Sequence, residues 1–301
     1  MNHPGKSLIR LLRLIRPLRL IRPLHLIRPL RLIRLLRLCF LTAAISAAAL
    51  SAAAVSTAQP VFAAAALPKY LSGRKILHAC GGIGTSTYTN SMEALNLALK
   101  KNAAAIEIDF SYTSDGVLVC SHSWSKFGKK APTYKRFKAT PTIGGYTPMT
   151  AKEALRKLIK ANSTYLIPDA KNANVIRVYY GLVAICRTIR NGEQYLKKIV
   201  PQIYTKTQYA QIKKVYNFRQ WIFTLYKLNM KTLQDYKNIA SFCQKNGIRT
   251  ITMSTTRITK NVTRAIHLKG IVVATHTVND ASVWNKLRKN GADVIYTDFL
   301  Y

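Results

Sequence analysis

The sequence predicts an α/β chain closed into a single (β/α)8 TIM barrel with a β-hairpin after its second strand. Apolar, β-branched runs alternate with helical patterns from Lys75 to the end of the chain. Nine such runs can be counted, one more than this barrel needs. Connection length resolves the excess. Only seven residues separate the second run from the third, and a parallel crossover takes about a dozen or more. The third run must therefore return as a hairpin, and eight helix-linked strands remain.

The strands are expected at 76–80, 104–109, 117–122, 163–168, 199–203, 220–225, 248–253, 271–276 and 293–297. Helical patterns fall at 90–101, 150–161, 174–191, 206–216, 231–246, 257–268 and 280–290. Thr150 and Asp280 are suited to helix N-caps, and Gly247, Gly270 and Gly291 stand just past helix ends. Residues 123–149 form a long basic, aromatic connection before the next helix, expected to act as a lid or substrate-approach segment.

Ahead of the barrel the composition changes. Residues 8–38 repeat a six-residue unit, LIRPLR or LIRPLH, without one acidic residue. Residues 38–58 are small and apolar, and small residues stand at Ala63 and Ala65. A basic segment, an apolar segment and an Ala-x-Ala-like exit make residues 1–63 an export signal, followed by a linker over 64–74 and the barrel over 75–301. An uncleaved anchor is the alternative, but a span needs ~20 apolar residues and these alanines supply it barely. The expected location is periplasmic, cell-envelope or secreted. The repeat breaks helical geometry at Pro17, Pro23 and Pro29. In polyproline II its cations would form a stripe suited to anionic headgroups. The plainer reading, an expanded repeat in a segment that only has to be basic, is preferred.

The whole chain of 301 residues carries 47 Lys+Arg against 11 Asp+Glu. Without the leader a balance of about +26 remains, a field that attracts polyanions such as a membrane or envelope-polymer surface. The sequence carries no nucleic-acid-binding motif and no basic cluster interleaved with aromatics. Cys80, Cys120, Cys186 and Cys243 match no zinc spacing; disulfides and buried thiols both stay open.

The chemistry concentrates in residues 104–122, AAIEIDFSYTSDGVLVCSH. Glu107 and Asp109 end the second strand on alternate positions, so both point to one face. A turn centred on Ser114-Asp115 would pair Tyr112 with Val117 and set His122 opposite Glu107. His78 ends the first strand, and Asp169 and Lys171 end the next helix-linked one. Chemistry in such barrels sits at the carboxyl ends of the strands, so these residues share one rim. Asp115 reads as a turn residue, Asn279 and Asp298 as structural closers, and Trp124, Tyr146 and Trp221 as either core or substrate wall.

The ordered motifs resemble the glycerophosphodiester phosphodiesterase family, within the barrel phosphodiesterases of the phospholipase C-like type. They read His78-Ala-Cys-Gly-Gly, Thr89-Asn-Ser, Glu107-Ile-Asp-Phe, Thr113-Ser-Asp-Gly, Val119-Cys-Ser-His-Ser, Asp169-Ala-Lys, His276-Thr-Val-Asn and Gly291-Ala-Asp-Val-Ile-Tyr-Thr-Asp. The resemblance implies that His78 and His122 are an acid/base pair, that Glu107, Asp109 and Asp169 hold one divalent cation, and that Lys171 faces the phosphate. Three carboxylates without a thiolate suit a hard cation, Ca2+ or Mg2+. The implied reaction is metal-dependent hydrolysis of a small-molecule or lipid-derived phosphodiester to an alcohol and a phosphomonoester.

The chain departs from the family pattern. Ala79-Cys80 stands for Arg-Gly, Thr89 for Glu, Ser123 for the Asp after the second His, Asp169 for Glu, and His276 for Trp. Phosphate clamping then falls to Lys171, to Arg74 or to the amides of Gly81-Gly82-x-Gly84. Two rivals remain at this stage: a phospholipase D-like or lyase-type enzyme that forms a cyclic phosphate, and a non-catalytic protein that binds polyanions through charge.

Overall fold

A computed structural model of the protein describes residues 66–171 and 174–301. The expected leader over 1–63 lies outside the described residues. Nine strands are present among them: β1 (Lys75–Leu77), β2 (Ala105–Tyr112), β3 (Leu118–Cys120), β4 (Tyr165–Ala170), β5 (Gln202–Ile203), β6 (Ile222–Thr224), β7 (Thr250–Ser254), β8 (Val272–His276) and β9 (Val294–Thr297). All pair in parallel except β3, which folds back antiparallel on β2. The order runs β4-β2-β1-β9-β8-β7-β6-β5. The ring closes where Leu166 of β4 bridges Ile199, just before β5, and the Val200 amide donates to the Leu166 carbonyl at 2.8 Å. Eight parallel strands therefore make the expected barrel.

The helices are α1 (Met92–Lys100), α2 (Tyr134–Ala139), α3 (Ala151–Ala161), α4 (Val175–Arg187), α5 (Gly192–Tyr195), α6 (Lys206–Val215), α7 (Leu233–Lys245), α8 (Lys260–His267) and α9 (Ala281–Lys289). Their starts follow local chemistry. Thr150 and Thr232 each close a capping box, with Glu153 and Asp235, and Asp280 caps α9. Each such cap stabilises its helix by ~1 kcal/mol.

Strand alternation divides two cores. Ile106, Ile108 and Phe110 face outward into the layer shared with the helices. Ile76, Ala105, Ile167, Val200, Ile222, Val272 and Val294 belong to a separate apolar cluster that fills the barrel. Within the stretch read as linker, Tyr70 and Leu71 are buried in that same cluster, and the Tyr70 hydroxyl lies 2.6 Å from Thr250 Oγ1. They plug the barrel floor. The next inward positions up each strand are polar, and they form the site.

Three expectations change. The first strand ends at Leu77, because His78–Cys80 turns away with positive φ at Ala79 and Cys80. The hairpin register slips by one: Tyr112 pairs Leu118, and Phe110 pairs Cys120. Its turn is wider than a two-residue one, with Thr113 receiving and donating hydrogen bonds across to Val117. A slip of one flips side-chain facing in a continued strand, yet β3 ends at Cys120, and His122 follows on the bend beyond it. Finally, residues 123–149 are not a bare loop. They hold α2 and two short 3-10 turns, with Trp124 and Phe137 buried around Val119.

Candidate active site

The cluster starts from β2. Glu107 and Asp109 are inward neighbours on one face, as their spacing predicted, and parallel pairing sets Asp169 of β4 beside Asp109. One carboxylate oxygen from each of the three lies within 4.8 Å of the others, and all three residues are buried. Burial drives the Glu107 carboxyl well above the usual range, and repulsion from Asp109 and Asp169 adds to it. Asp109 is raised for the same reasons. A trio this costly to ionise is offset by a nearby cation or by retained protons.

Lys171 provides part of it. Its ammonium lies 2.6 Å from Asp169 and 3.6 Å from Asp109. Burial works against its charge, but the two carboxylates outweigh that and raise its pKa. Asp109 is also clamped from behind. The Asn90 amide donates to Oδ2 at 2.8 Å, and the Asn90 carbonyl accepts from the Asp109 backbone at 3.0 Å. Asp109 Oδ1 has no hydrogen-bond partner among the described residues. The Ala79 amide donates to Glu107 Oε2 at 2.7 Å. That contact requires the left-handed turn after β1, in which Ala79, Cys80 and Gly81 all have positive φ, a conformation costing of order 1 kcal/mol or more at each non-glycine residue.

The two imidazoles sit above the trio. Asp298 Oδ1 accepts from His78 Nδ1 at 3.0 Å, which leaves Nε2 for the cavity. Asn279 in turn donates to Asp298 Oδ2 at 2.7 Å. The Tyr88 ring stands between the histidines, edge-on to both, at 4.5 Å from His78 and 4.7 Å from His122. Burial lowers the pKa of His122, opposed in part by Asp109. A cavity of about 190 Å³ joins His78, Glu107, His122, Asp169 and Lys171. Its far wall carries hydroxyl and amide groups: the Tyr204 hydroxyl donates to Asp169 Oδ1, and the Tyr296 hydroxyl donates to Gln202 Oε1 at 2.9 Å. His276 lines the same wall, where burial lowers its pKa to about 4.

All six residues singled out from sequence thus meet at one rim. Arg74 does not join them. It precedes β1 at the opposite end of the barrel and donates to the Asp293 carbonyl at 3.3 Å. The Gly81 and Gly82 amides are also engaged internally, by His78 and Asp298 carbonyls, and at Gly82 a Cβ would fall 2.2 Å from the Phe299 ring. Trp124 and Trp221 belong to the core. Asp115 holds its turn by accepting from Thr113 Oγ1 at 2.6 Å. Asn90, Tyr88 and Tyr204 escaped sequence reasoning, and Asp298 was assigned only a structural part. The hints were Thr89-Asn-Ser for Asn90 and the closing Thr-Asp for Asp298; for the two tyrosines there was no signal.

A model of the glycerophosphoryl diester phosphodiesterase family matches residues 81–158, a segment that includes Glu107, Asp109 and His122. The match covers about a quarter of the chain, from the glycines after β1 into α3. No curated protein matches the sequence. Among solved structures, a glycerophosphodiester phosphodiesterase from Parabacteroides distasonis is similar at 17% identity and TM-score 0.59, over 74% of this chain and 92% of that one. A phosphodiesterase from Oleispira antarctica, solved with the product sn-glycerol-3-phosphate, is similar at 15% identity and TM-score 0.60, over 75% and 92%. The Thermotoga maritima glycerophosphodiester phosphodiesterase gives 18% identity and TM-score 0.54, over 74% and 93%. At such identities these structures establish the fold.

Proposed function

We propose that the protein hydrolyses a glycerophosphodiester-type substrate to an alcohol and a phosphomonoester, using one divalent cation and the two histidines. The observation that carries this is the convergence of three buried carboxylates below two imidazoles, where Asp109 Oδ1 accepts no hydrogen bond and faces only the Lys171 ammonium at 3.6 Å. Hard oxygen donors at this spacing fit Ca2+ or Mg2+. Glu107, Asp109 and Asp169 would hold the ion, which when bound supplies charge stabilisation to a phosphoryl oxygen.

The chain's own groups account for the rest. Lys171 offers a fixed ammonium to the phosphate. His78 is oriented by Asp298, so that Nε2 exchanges protons with the cavity. One imidazole takes a proton from the attacking water while the other gives a proton to the departing alkoxide. Overall a P–O bond to the alcohol breaks, a P–OH bond forms, and the water's second proton goes to the alcohol. Tyr88 packs against both rings and holds their spacing.

The test is turnover of glycerophosphodiesters with Ca2+ and Mg2+ compared, in 18O-labelled water. Label in the phosphomonoester within a single turnover supports direct hydrolysis. Unlabelled cyclic phosphate as the first product would replace it with the cyclising route. Salt-sensitive polyanion binding without turnover or metal affinity would remove the enzyme reading. We also propose export, on the basic repeat and the alanine-rich run before the barrel; N-terminal sequencing of the mature protein tests it.

A further inference from the structure

A second cleft opens on the same rim, about 60 Å³ against about 190 Å³ for the catalytic cavity, and the two share Tyr88 and His122. Those rings stand edge to face at 4.7 Å. They form a partition with the acidic trio on one side and the cleft on the other. The proposed chemistry leaves this second recess unused, although a diester has two organic arms and needs room for both.

The cleft wall comes from residues 123–143. Ser123 and Ser125 present hydroxyls linked at 3.1 Å. Lys126 spans the recess: its ammonium donates to the Pro141 carbonyl at 2.8 Å and the Thr142 carbonyl at 2.7 Å. An ammonium has three N–H donors, so one remains for a ligand. No carboxylate lines the cleft among the described residues.

Phe127 and Phe137 raise an opposite possibility, because quaternary ammonium groups bind over aromatic faces. Here that surface is taken. The Arg136 guanidinium lies 5.6 Å from the Phe127 ring centre, and Phe137 is packed against Trp124 and Phe127 at 6.2 and 6.5 Å. A cationic arm would meet the Lys126 ammonium and no counter-charge in the cleft lining. A polyol arm would meet hydroxyl oxygens and one ammonium donor.

We propose that this cleft receives the variable alcohol arm of the diester and selects it by charge, with Lys126 as the specificity-determining residue. Neutral polyol or anionic arms enter; ammonium-bearing arms are disfavoured. The inference rests on the diesterase reading above.

The test uses the full chain with Ca2+ or Mg2+ and compares kcat/KM for glycerophosphoglycerol and glycerophosphocholine. The polyol diester is expected to be preferred by about tenfold, the effect of one like charge at contact range in a partly solvated site. Higher salt should narrow the ratio, since the charge is exposed. Lys126→Gln keeps an amide donor for the loop carbonyls and should lower the ratio severalfold, chiefly through KM for the choline diester. Lys126→Arg should keep it, and Lys289→Gln, the same charge change on the outer helix α9, should not move it. A wild-type preference for the choline diester, or a ratio unmoved by both Lys126→Gln and salt, overturns the charge filter and leaves the diesterase reading standing. No turnover of either diester sinks both.

Discussion

The two halves of the barrel divide the work unequally. Strands β1 to β4 and their loops supply the charged groups of the cavity: His78, Glu107, His122, Asp169 and Lys171. Strands β5 to β9 face them with Gln202, Tyr204, Thr224, Tyr296 and His276. Both sets gather at or just beyond the carboxyl ends of the strands, so topology does not explain the difference. One half concentrates ionisable groups around a carboxylate trio that Lys171 offsets only in part; the other gives neutral donors and acceptors that shape a wall. Charge-dense groups can make and break bonds, whereas a hydroxyl wall orients what is bound.

Removing charge from the first half should therefore have the largest effect. Asp109→Asn removes one of the three carboxylate charges, and activity is expected to fall on the order of 10³-fold or more, as for loss of several kcal/mol of transition-state stabilisation. Chelation should reproduce that loss, and divalent cation should restore wild type but not the variant. Thr224→Val, an inward substitution on the opposite wall, should change kcat/KM by less than about threefold, since it removes one neutral hydrogen-bonding group. Equal effects at the two sites would break the comparison.

The histidines come next. His78→Ala and His122→Ala should each lower kcat by about 10²- to 10⁴-fold while leaving the melting temperature close to wild type. Asp298→Asn tests positioning. The carboxylate accepts from Nδ1 of His78, and an amide can present a donor there, favouring the wrong tautomer. We expect a loss of about tenfold to a hundredfold in kcat with KM nearly unchanged, and a displaced His78 ring resonance in NMR.

The charged half was also the legible half. Glu107 and Asp109 announce themselves because a strand repeats every two residues, and the short connection forces β3 back beside them. The wall residues are single positions on separate strands, such as Tyr204 and Gln202, with no local pattern to mark them. Asp298 was visible but underrated, because its partner His78 stands 220 positions away. The hairpin register failed for a local reason: the turn uses the Thr113 hydroxyl to accept from the Val117 amide at 2.9 Å, and hydrophobic alternation carries no signal of that bond. Residues 123–149 read as a lid or substrate-approach segment because the connection is long, yet Trp124 and Phe137 pack with Val119 into a small core of their own.

A smaller effect comes from Tyr204, whose hydroxyl donates to Asp169 Oδ1. Burial and the adjoining carboxylate hold the phenol protonated far above its ordinary range, so it remains a donor at every working pH. Tyr204→Phe leaves that buried carboxylate with one donor fewer. The expected cost is about 1–2 kcal/mol of stability by urea titration, and a few-fold loss of kcat/KM, much less than any change in the trio itself.

His276 gives the subtlest contrast, because it is an ionisable group on the neutral wall. Burial, with help from the nearby His78, lowers its pKa from 6.5 to about 4. The sign of the consequence follows from proton counting. Between those two values the unfolded chain binds a proton that the folded ring refuses, so stability is complete above pH 6.5 and declines as the pH falls toward about 4. At pH 4.5 the loss from this one ring is about 2 kcal/mol. His276→Gln keeps a polar side chain without that titration, so its urea midpoint should fall less between pH 7 and pH 4.5 than wild type, measured with chelator present to keep cation binding out of the comparison. Equal falls in the two proteins would mean that His276 titrates in the folded state as it does in the open chain, and the second half of the cavity would then carry a charge of its own at mildly acidic pH.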